Sequence, residues 1–387
     1  MPDLDELAAE LRALGVRRVH VLAWRDLDDP EAGGSEVHAD HVMRRWVGAG
    51  LQIVHRTSAA AGQPAEVARN GYRVVRRGSR YGVFPRTAVA EALRRMGPRD
   101  AMVEIWNGVP WMSPVWFRGP RVTWLHHVHG PMWNQVLPPP LAQAGRLVEA
   151  RLAPPFYRST HVVTLAESSR EELAEVGFHP ERLHVVPPGV DPMFCPGGER
   201  ATDPLVVATG RLAPVKRFDD LIDALARARA DLPNLQLVIV GEGPSRPELE
   251  AHLDAVGARG WVRLPGRVPQ AELVALYRQA WLTVSASLAE GWGMVLTEAA
   301  ACGTPGVATD IVGHRGAVLD GVSGVLVPSP ADLGPAVAKL LQDPAERARL
   351  ATGALAHAHT LTWERTATDT LAVLLQAARE RAARATS

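Results

Sequence analysis

Lysine is nearly missing from this chain of 387 residues: of its 42 basic side chains, only Lys216 and Lys339 are lysine. In a protein so biased toward arginine a lysine is not the default cation, so Lys216 needs a local reason. Cysteine is equally scarce. Cys195 and Cys302 stand far apart in sequence and form no CxxC pattern, which argues against a disulfide framework and a cysteine-based metal site. Neither sign of charge is in excess, with 42 basic and 42 acidic residues, so nothing global points to nucleic acid or an acidic polymer. No apolar run approaches the roughly 20 residues that cross a bilayer. Residues 3–14 mix acidic and basic side chains on a helical pattern and lack the apolar core of a signal peptide. A cytoplasmic address is expected, with peripheral membrane contact left open.

What is present is an ordinary globular composition, 47% apolar and 22% charged, in a chain long enough for two domains. Strands are expected at 19–23, 52–57, 73–77, 101–106, 122–127, 161–166 and 183–186. Helices are expected at 35–47, with Ser35 as N-cap, and at 88–95, 141–152 and 167–176. Strands alternating with helices imply a doubly wound, mostly parallel sheet whose ligands lie beyond the strands' carboxyl ends. The alternation breaks at Pro187-Pro188-Gly189, and 191–203 is rich in Gly and Pro, as a linker would be. A second βα series runs from 205 to 362, followed by an amphipathic helix at 363–384. The expected domains are thus 1–190, a linker at 191–203, 204–362, and a last helix within 363–387.

The second series contains the most informative stretch, Glu290-Gly291-Trp292-Gly293-Met294-Val295-Leu296-Thr297-Glu298. It follows an apolar strand and opens a helix ended by Gly303, so Glu290 and Glu298 bracket a glycine turn. Gly291 and Gly293 permit close backbone approach, and the free N–H groups of a first helical turn attract phosphate oxygens. Carboxylates instead accept from sugar hydroxyls. A diphosphate at the turn with hydroxyls on either side describes a nucleotide-sugar, whereas an isolated pair of glutamates would be two solvated side chains. Arg211 and Lys216, beyond the first strand of the series, can stabilise a departing diphosphate. The loops at Gly241-Glu242-Gly243 and Gly266-Arg267-Val268 suit a flat base held by backbone contacts.

In the first series, Gly33-Gly34 precedes a helix and could meet an anion, although a turn alone explains a glycine pair. Asp26-x-Asp28 has no second carboxylate cluster near it and reads as turn chemistry. Five of the 11 tryptophans fall within 106–133, and as a cluster with Trp106, Asn107 and Trp133 they suit an acceptor-side surface, while each singly suits packing. His127 and His129 are too few for zinc and join the acceptor-side candidates. His126, at a strand's end, could accept a proton or hydrogen-bond a reacting sugar. Arg69, Arg73, Arg76, Arg77, Arg80 and Arg86 read as a solvated basic face, with a phosphorylated or membrane-borne acceptor as the alternative.

Together with Gly210-Arg211-Leu212-Ala213-Pro214-Val215-Lys216, Val238-Ile239-Val240-Gly241-Glu242-Gly243-Pro244, Pro188-Gly189-Val190-Asp191 and Gly33-Gly34-Ser35-Glu36, that stretch resembles the family-four retaining glycosyltransferases. The motifs span nearly the whole chain. The resemblance implies a GT-B fold, two Rossmann-like α/β domains facing each other across a cleft, with the last helix crossing back onto the first domain. It implies that Arg211 and Lys216 bind the donor diphosphate and that Glu298 holds ribose hydroxyls. It assigns donor sugar and phosphate to Glu290 with Trp292, Gly293, Met294 and Val295, places Gly33 and Gly34 near the diphosphate, and puts His126 beside the transferred sugar. Trp292 stands where Phe is more usual, and the adjacent His127 leaves open which histidine of the pair acts. The expected chemistry is transfer of a hexose from a nucleoside-diphosphate sugar to a hydroxyl acceptor, without metal or other cofactor and without nucleic acid as partner. The acceptor, whether glycan, lipid-linked glycan or natural product, stays open, and no motif speaks to oligomeric state. A nucleotide-sugar epimerase would convert its donor alone, and a sensor would bind without turnover. A dinucleotide oxidoreductase is disfavoured because no GxGxxG follows the first strand.

Overall fold

The computed structural model describes residues 2–386; the expected end points 1 and 387 lie outside them. The chain forms two compact units, Met1–Gly189 with Trp363–Ser387, and Val190–Thr362.

The first unit is built on β1 (Arg18–Leu22), β2 (Gln52–Thr57), β3 (Glu66–Arg69), β4 (Tyr72–Arg76), β5 (Ala101–Ile105), β6 (Arg121–Trp124), β7 (His161–Thr164) and β8 (Leu183–Val185). Their order is β3-β4-β2-β1-β5-β6-β7-β8. All neighbours are parallel except the hairpin β3–β4. The chain winds outward from β1 to one side and then from β5 to the other, so the strand order reverses between β1 and β5. One face is covered by the helices Leu4–Ala13, Gly34–Gly48 and Trp363–Thr386 over a core of Val19, Val21, Trp46, Ile53, Val103, Trp124 and Leu371. The last helix is tied in by Trp46, whose indole N–H donates to the Ala367 carbonyl at 3.0 Å, and by ion pairs from Arg45 to Glu364 and Arg379 to Glu10.

The second unit carries β9 (Leu205–Thr209), β10 (Gln236–Val240), β11 (Val262–Gly266), β12 (Leu282–Ser285), β13 (Gly306–Thr309) and β14 (Gly324–Val327) in the order β11-β10-β9-β12-β13-β14, all parallel. Here the order reverses between β9 and β12. The helix Phe218–Ala228 buries Phe218, Leu221, Ile222 and Leu225, the spacing of a one-sided apolar stripe, on one face of the sheet. Helices Gln270–Gln279, Met294–Ala301 and Pro344–His359 cover the other.

Three expectations need correction. Residues 191–203 are not a free linker but part of the second unit. Phe194 is buried, Met193 and Ala201 pack beside it, and Trp281 donates to the Ala201 carbonyl at 2.7 Å. The helix expected from Ser35 is capped at Gly33, because Glu36 reaches back to accept from the Gly33 N–H at 2.7 Å. Asp26 and Asp28 do form a turn, but their outer oxygens are clasped by Arg76 and Arg69. Arg76 is accordingly buried, so the basic segment is not one solvated face.

Candidate active site

The switch point of the second sheet is where the loops after β9 and β12 diverge, the place where an open α/β sheet leaves a crevice. Lys216 comes from the first loop and Glu290 from the second. The Lys216 ammonium donates to Glu290 Oε1, which also accepts from the Ser287 hydroxyl at 2.8 Å. Behind Ser287, the Ser285 hydroxyl lies 3.1 Å from it and 3.2 Å from His314 Nε2. His314 Nδ1 faces the Thr309 carbonyl at 2.7 Å. A carbonyl only accepts, so the proton sits on Nδ1, and burial depresses the imidazole's pKa, leaving it neutral with Nε2 as an acceptor. Burial alone would raise the Glu290 pKa, but the Lys216 ammonium and the Ser287 hydroxyl outweigh it and hold the carboxyl ionised.

Gly293 starts the helix Met294–Ala301 with φ +94°. A Cβ there would lie 3.1 Å from His314 Cδ2 and 3.2 Å from Leu296 Cδ1, so glycine is required both for its backbone conformation and for space. The N–H groups of Met294 and Val295 head the helix without helical acceptors. Leu296 N–H already bonds Gly293 O at 2.9 Å. Glu298 follows one turn in, half-buried. Burial, followed by the Asp191 charge, carries its carboxyl up to about 7 against the pull of Tyr277. The Tyr277 hydroxyl beside it is buried with no partner of normal hydrogen-bond geometry.

Arg211 is exposed on the β9 loop that carries Lys216. The glycines of the β10 loop serve packing: a Cβ on Gly241 would fall 1.9 Å from Gly210 O, and one on Gly243 2.2 Å from Leu212 O. Val268 turns its side chain to the core and leaves its backbone at the β11 end. Trp292 is buried at 4% exposure, so its ring packs and presents no face to a ligand.

In the first unit the loops after β1 and β5 likewise diverge at the switch point. The first leads to Gly33 and Gly34, the second to Trp106 and Asn107. The Gly33 N–H is already taken by Glu36, which leaves Gly34 and Ser35 to head the helix. Trp106, expected on the acceptor side, is 1% exposed, packs at a tilt against Tyr157 and donates its N–H to Gly108 O, so it is core. Asn107 is half-exposed in the turn that bridges to Val109. His126 lies just beyond β6, its ring edge-on to His38 at 4.9 Å. Burial, then His38 and His127, depress its pKa well below the ordinary histidine value, so it is neutral, and its buried Nε2 has no partner in the protein. An unpartnered imidazole nitrogen at a strand's end fits a ligand hydroxyl.

His127 and His129 stack ring on ring, 4.8 Å apart and 16° from parallel, instead of converging their nitrogens on a metal. Among the described residues no three His, Cys, Asp or Glu side chains form a metal cluster. Trp133 is buried against the helix Pro139–Leu147.

Three groups escaped the sequence reading. Glu149 accepts from His129 N at 2.9 Å, Gly130 N at 3.2 Å and Trp133 Nε1 at 3.0 Å, and so fixes the whole loop after His126. It sits on a π-helical turn, Val148–Leu152, a distortion frequent at functional sites. His38 backs His126, and the Ser285–Ser287–His314 chain backs Glu290. None belongs to a motif, and each meets its partner only through the fold.

The fold and the two switch-point sites define a two-unit Rossmann-type protein of the GT-B class. Sucrose-phosphate synthase from Thermosynechococcus elongatus superposes with TM-score 0.77 over 96% of this chain and 100% of its own, at 20% identity. The Anabaena protein HepE, solved with UDP-glucose, gives 0.70 over 92% and 98%, at 18%. Residues 32–194 match the family described as Glycosyltransferase Family 4, and 194–356 that described as Glycosyl transferases group 1. A D-inositol 3-phosphate glycosyltransferase of Catenulispora acidiphila is 34% identical over 89% of this chain and 90% of its own. The chain belongs to this glycosyltransferase family. A D-inositol 3-phosphate glycosyltransferase of Geodermatophilus obscurus is 39% identical over 57% of the chain, and only about half of that relative's length, 53%, is spanned.

Proposed function

We propose that the protein transfers a hexose from a nucleoside-diphosphate sugar to a hydroxyl acceptor, with retention at the anomeric carbon and without a metal. The observation that carries this is the Lys216–Glu290 pair at the β9/β12 switch point, beside a glycine-started helix that bears Glu298 one turn in. In this reading Lys216 exchanges Glu290 for the donor diphosphate, and Arg211 and the Met294 and Val295 N–H groups share its charge. Glu290, freed of its cation, accepts from hydroxyls of the donor sugar, and Glu298 accepts from the ribose. Neutral His126 accepts from a hydroxyl of the transferred hexose.

The bond from the anomeric carbon to the β-phosphate oxygen breaks as the acceptor oxygen attacks from the same face, and the acceptor's proton passes to the departing phosphate. The relatives' names make D-inositol 3-phosphate the first acceptor to try, and the HepE complex makes UDP-glucose the first donor. The test has two stages: thermal-shift screening of nucleotide-sugars, since a ligand of the folded state raises the melting temperature, then NMR of the product formed with acceptor. Turnover unchanged by a chelator, with donor configuration kept, is the expected outcome. Conversion of donor without acceptor, or chelator loss restored by manganese, would overturn it.

A further inference from the structure

The first unit holds a cavity of about 630 Å³ on the sheet face that the helix Val83–Ala92 covers. Side chains alternate along a strand, so Arg56 of β2 and Arg73 and Arg77 of β4 and its extension point to the same face. Arg86 on the helix and Arg95 beyond it complete a ring of five arginines, against which the lining supplies one acid, Glu66. That acid is already bonded to Arg77 at 3.1 Å. The other nearby carboxylate, Glu91, is bound to His20 at 2.7 Å and to Arg99 at 2.9 Å.

Arg56 is the floor. It is 1% exposed, and its two terminal nitrogens are fixed by neutral carbonyls, Val75 O at 3.1 Å and Arg77 O at 2.9 Å. Its Nε–H is buried with no partner at all. Burial, then Arg77 and Arg86, pull this guanidinium down to about 10. A buried cation fixed only by carbonyls, with a free donor and like charges around it, is costly unless an anion completes it. The rim arginines are exposed, so a ligand has access.

We infer that this arginine pocket binds a phosphate ester or diphosphate, through a set of residues that shares no member with the Lys216 and Glu290 loops. Guanidinium forks match phosphate oxygens two at a time, which suits arginine to this task in a chain that uses so little lysine.

The probe is inorganic pyrophosphate, titrated calorimetrically into the full chain carrying Lys216→Ala, which weakens the other anion site. Saturable, salt-sensitive binding is expected, and adding Arg86→Ala and Arg95→Ala should weaken it at least about tenfold. Both substitutions are at exposed positions, and an unchanged melting temperature verifies folding. Vesicles of phosphatidate in phosphatidylcholine distinguish the sources of the phosphate. Vesicle binding lost in the arginine variant identifies a lipid headgroup, and pyrophosphate binding without vesicle binding identifies a soluble phosphorylated compound. Absence of saturable binding by either probe, or binding equal in both variants, would overturn the inference.

Discussion

Glu298 gives the account a signature in proton release. Its carboxyl stands at about 7 because burial and Asp191 oppose ionisation, while its proposed task, accepting from two ribose hydroxyls, requires the carboxylate. Binding must therefore expel a proton from whatever fraction is protonated. Above pH 7 the affinity for a nucleoside-diphosphate sugar should be level. Below it each pH unit costs about 1.4 kcal/mol, or roughly tenfold in Kd, until the lower pKa of the bound state is reached. Near pH 7 about half a proton should leave per ligand bound, which calorimetry in two buffers of different ionisation enthalpy reads directly. A nucleotide-sugar is the right ligand because its diphosphate diester does not titrate in this range. Glu298→Gln should abolish the release, and Asp191→Asn should move the midpoint down. No proton released between pH 6 and 8, or release persisting in Glu298→Gln, would refute the reasoning.

The same shift has a stability counterpart. A carboxyl raised in the folded state above the unfolded value binds more protons when folded, so stability falls as pH rises through that window. Glu298→Gln should raise the melting temperature at pH 8 and leave it unchanged below pH 4.5, the unperturbed value. Gly293→Ala must place a Cβ at φ +94° against His314 and Leu296, and should cost about 1–3 kcal/mol with loss of nucleotide-induced stabilisation, read by melting with and without ligand. Glu149→Gln turns an amide N–H₂ toward donors that now share a carboxylate, so the chain should lose about 1–3 kcal/mol, with a change in the fluorescence of Trp133.

Much of the architecture was legible because alternating apolar strands and helices leave a period that sequence carries openly. The hairpin β3–β4 was missed although Asn70 and Gly71, at φ +46° and +84°, spell its turn; strand Glu66–Arg69 is too polar and exposed to read as a strand. The rarity of Lys216 marked it as placed for a local reason, but its pairing with Glu290 comes only from the fold. Burial was the hidden variable elsewhere. Trp106 and Trp292 are written like ligand-facing aromatics and sit in the core, whereas Arg56 and Arg76 are written like surface cations and lie beneath it. Glu149, His38 and His314 reach their partners only through long-range packing, which a one-dimensional pattern does not encode.

The most direct measurement is the rate at which a hexose leaves its nucleotide for an acceptor, followed by proton NMR in the native chain and in Lys216→Ala. With the ammonium gone from the diphosphate, turnover should drop by about two to three orders of magnitude, while melting shows an intact fold and residual product keeps the donor's anomeric configuration. Unimpaired turnover in Lys216→Ala, or an inverted product from the native chain, would contradict the account.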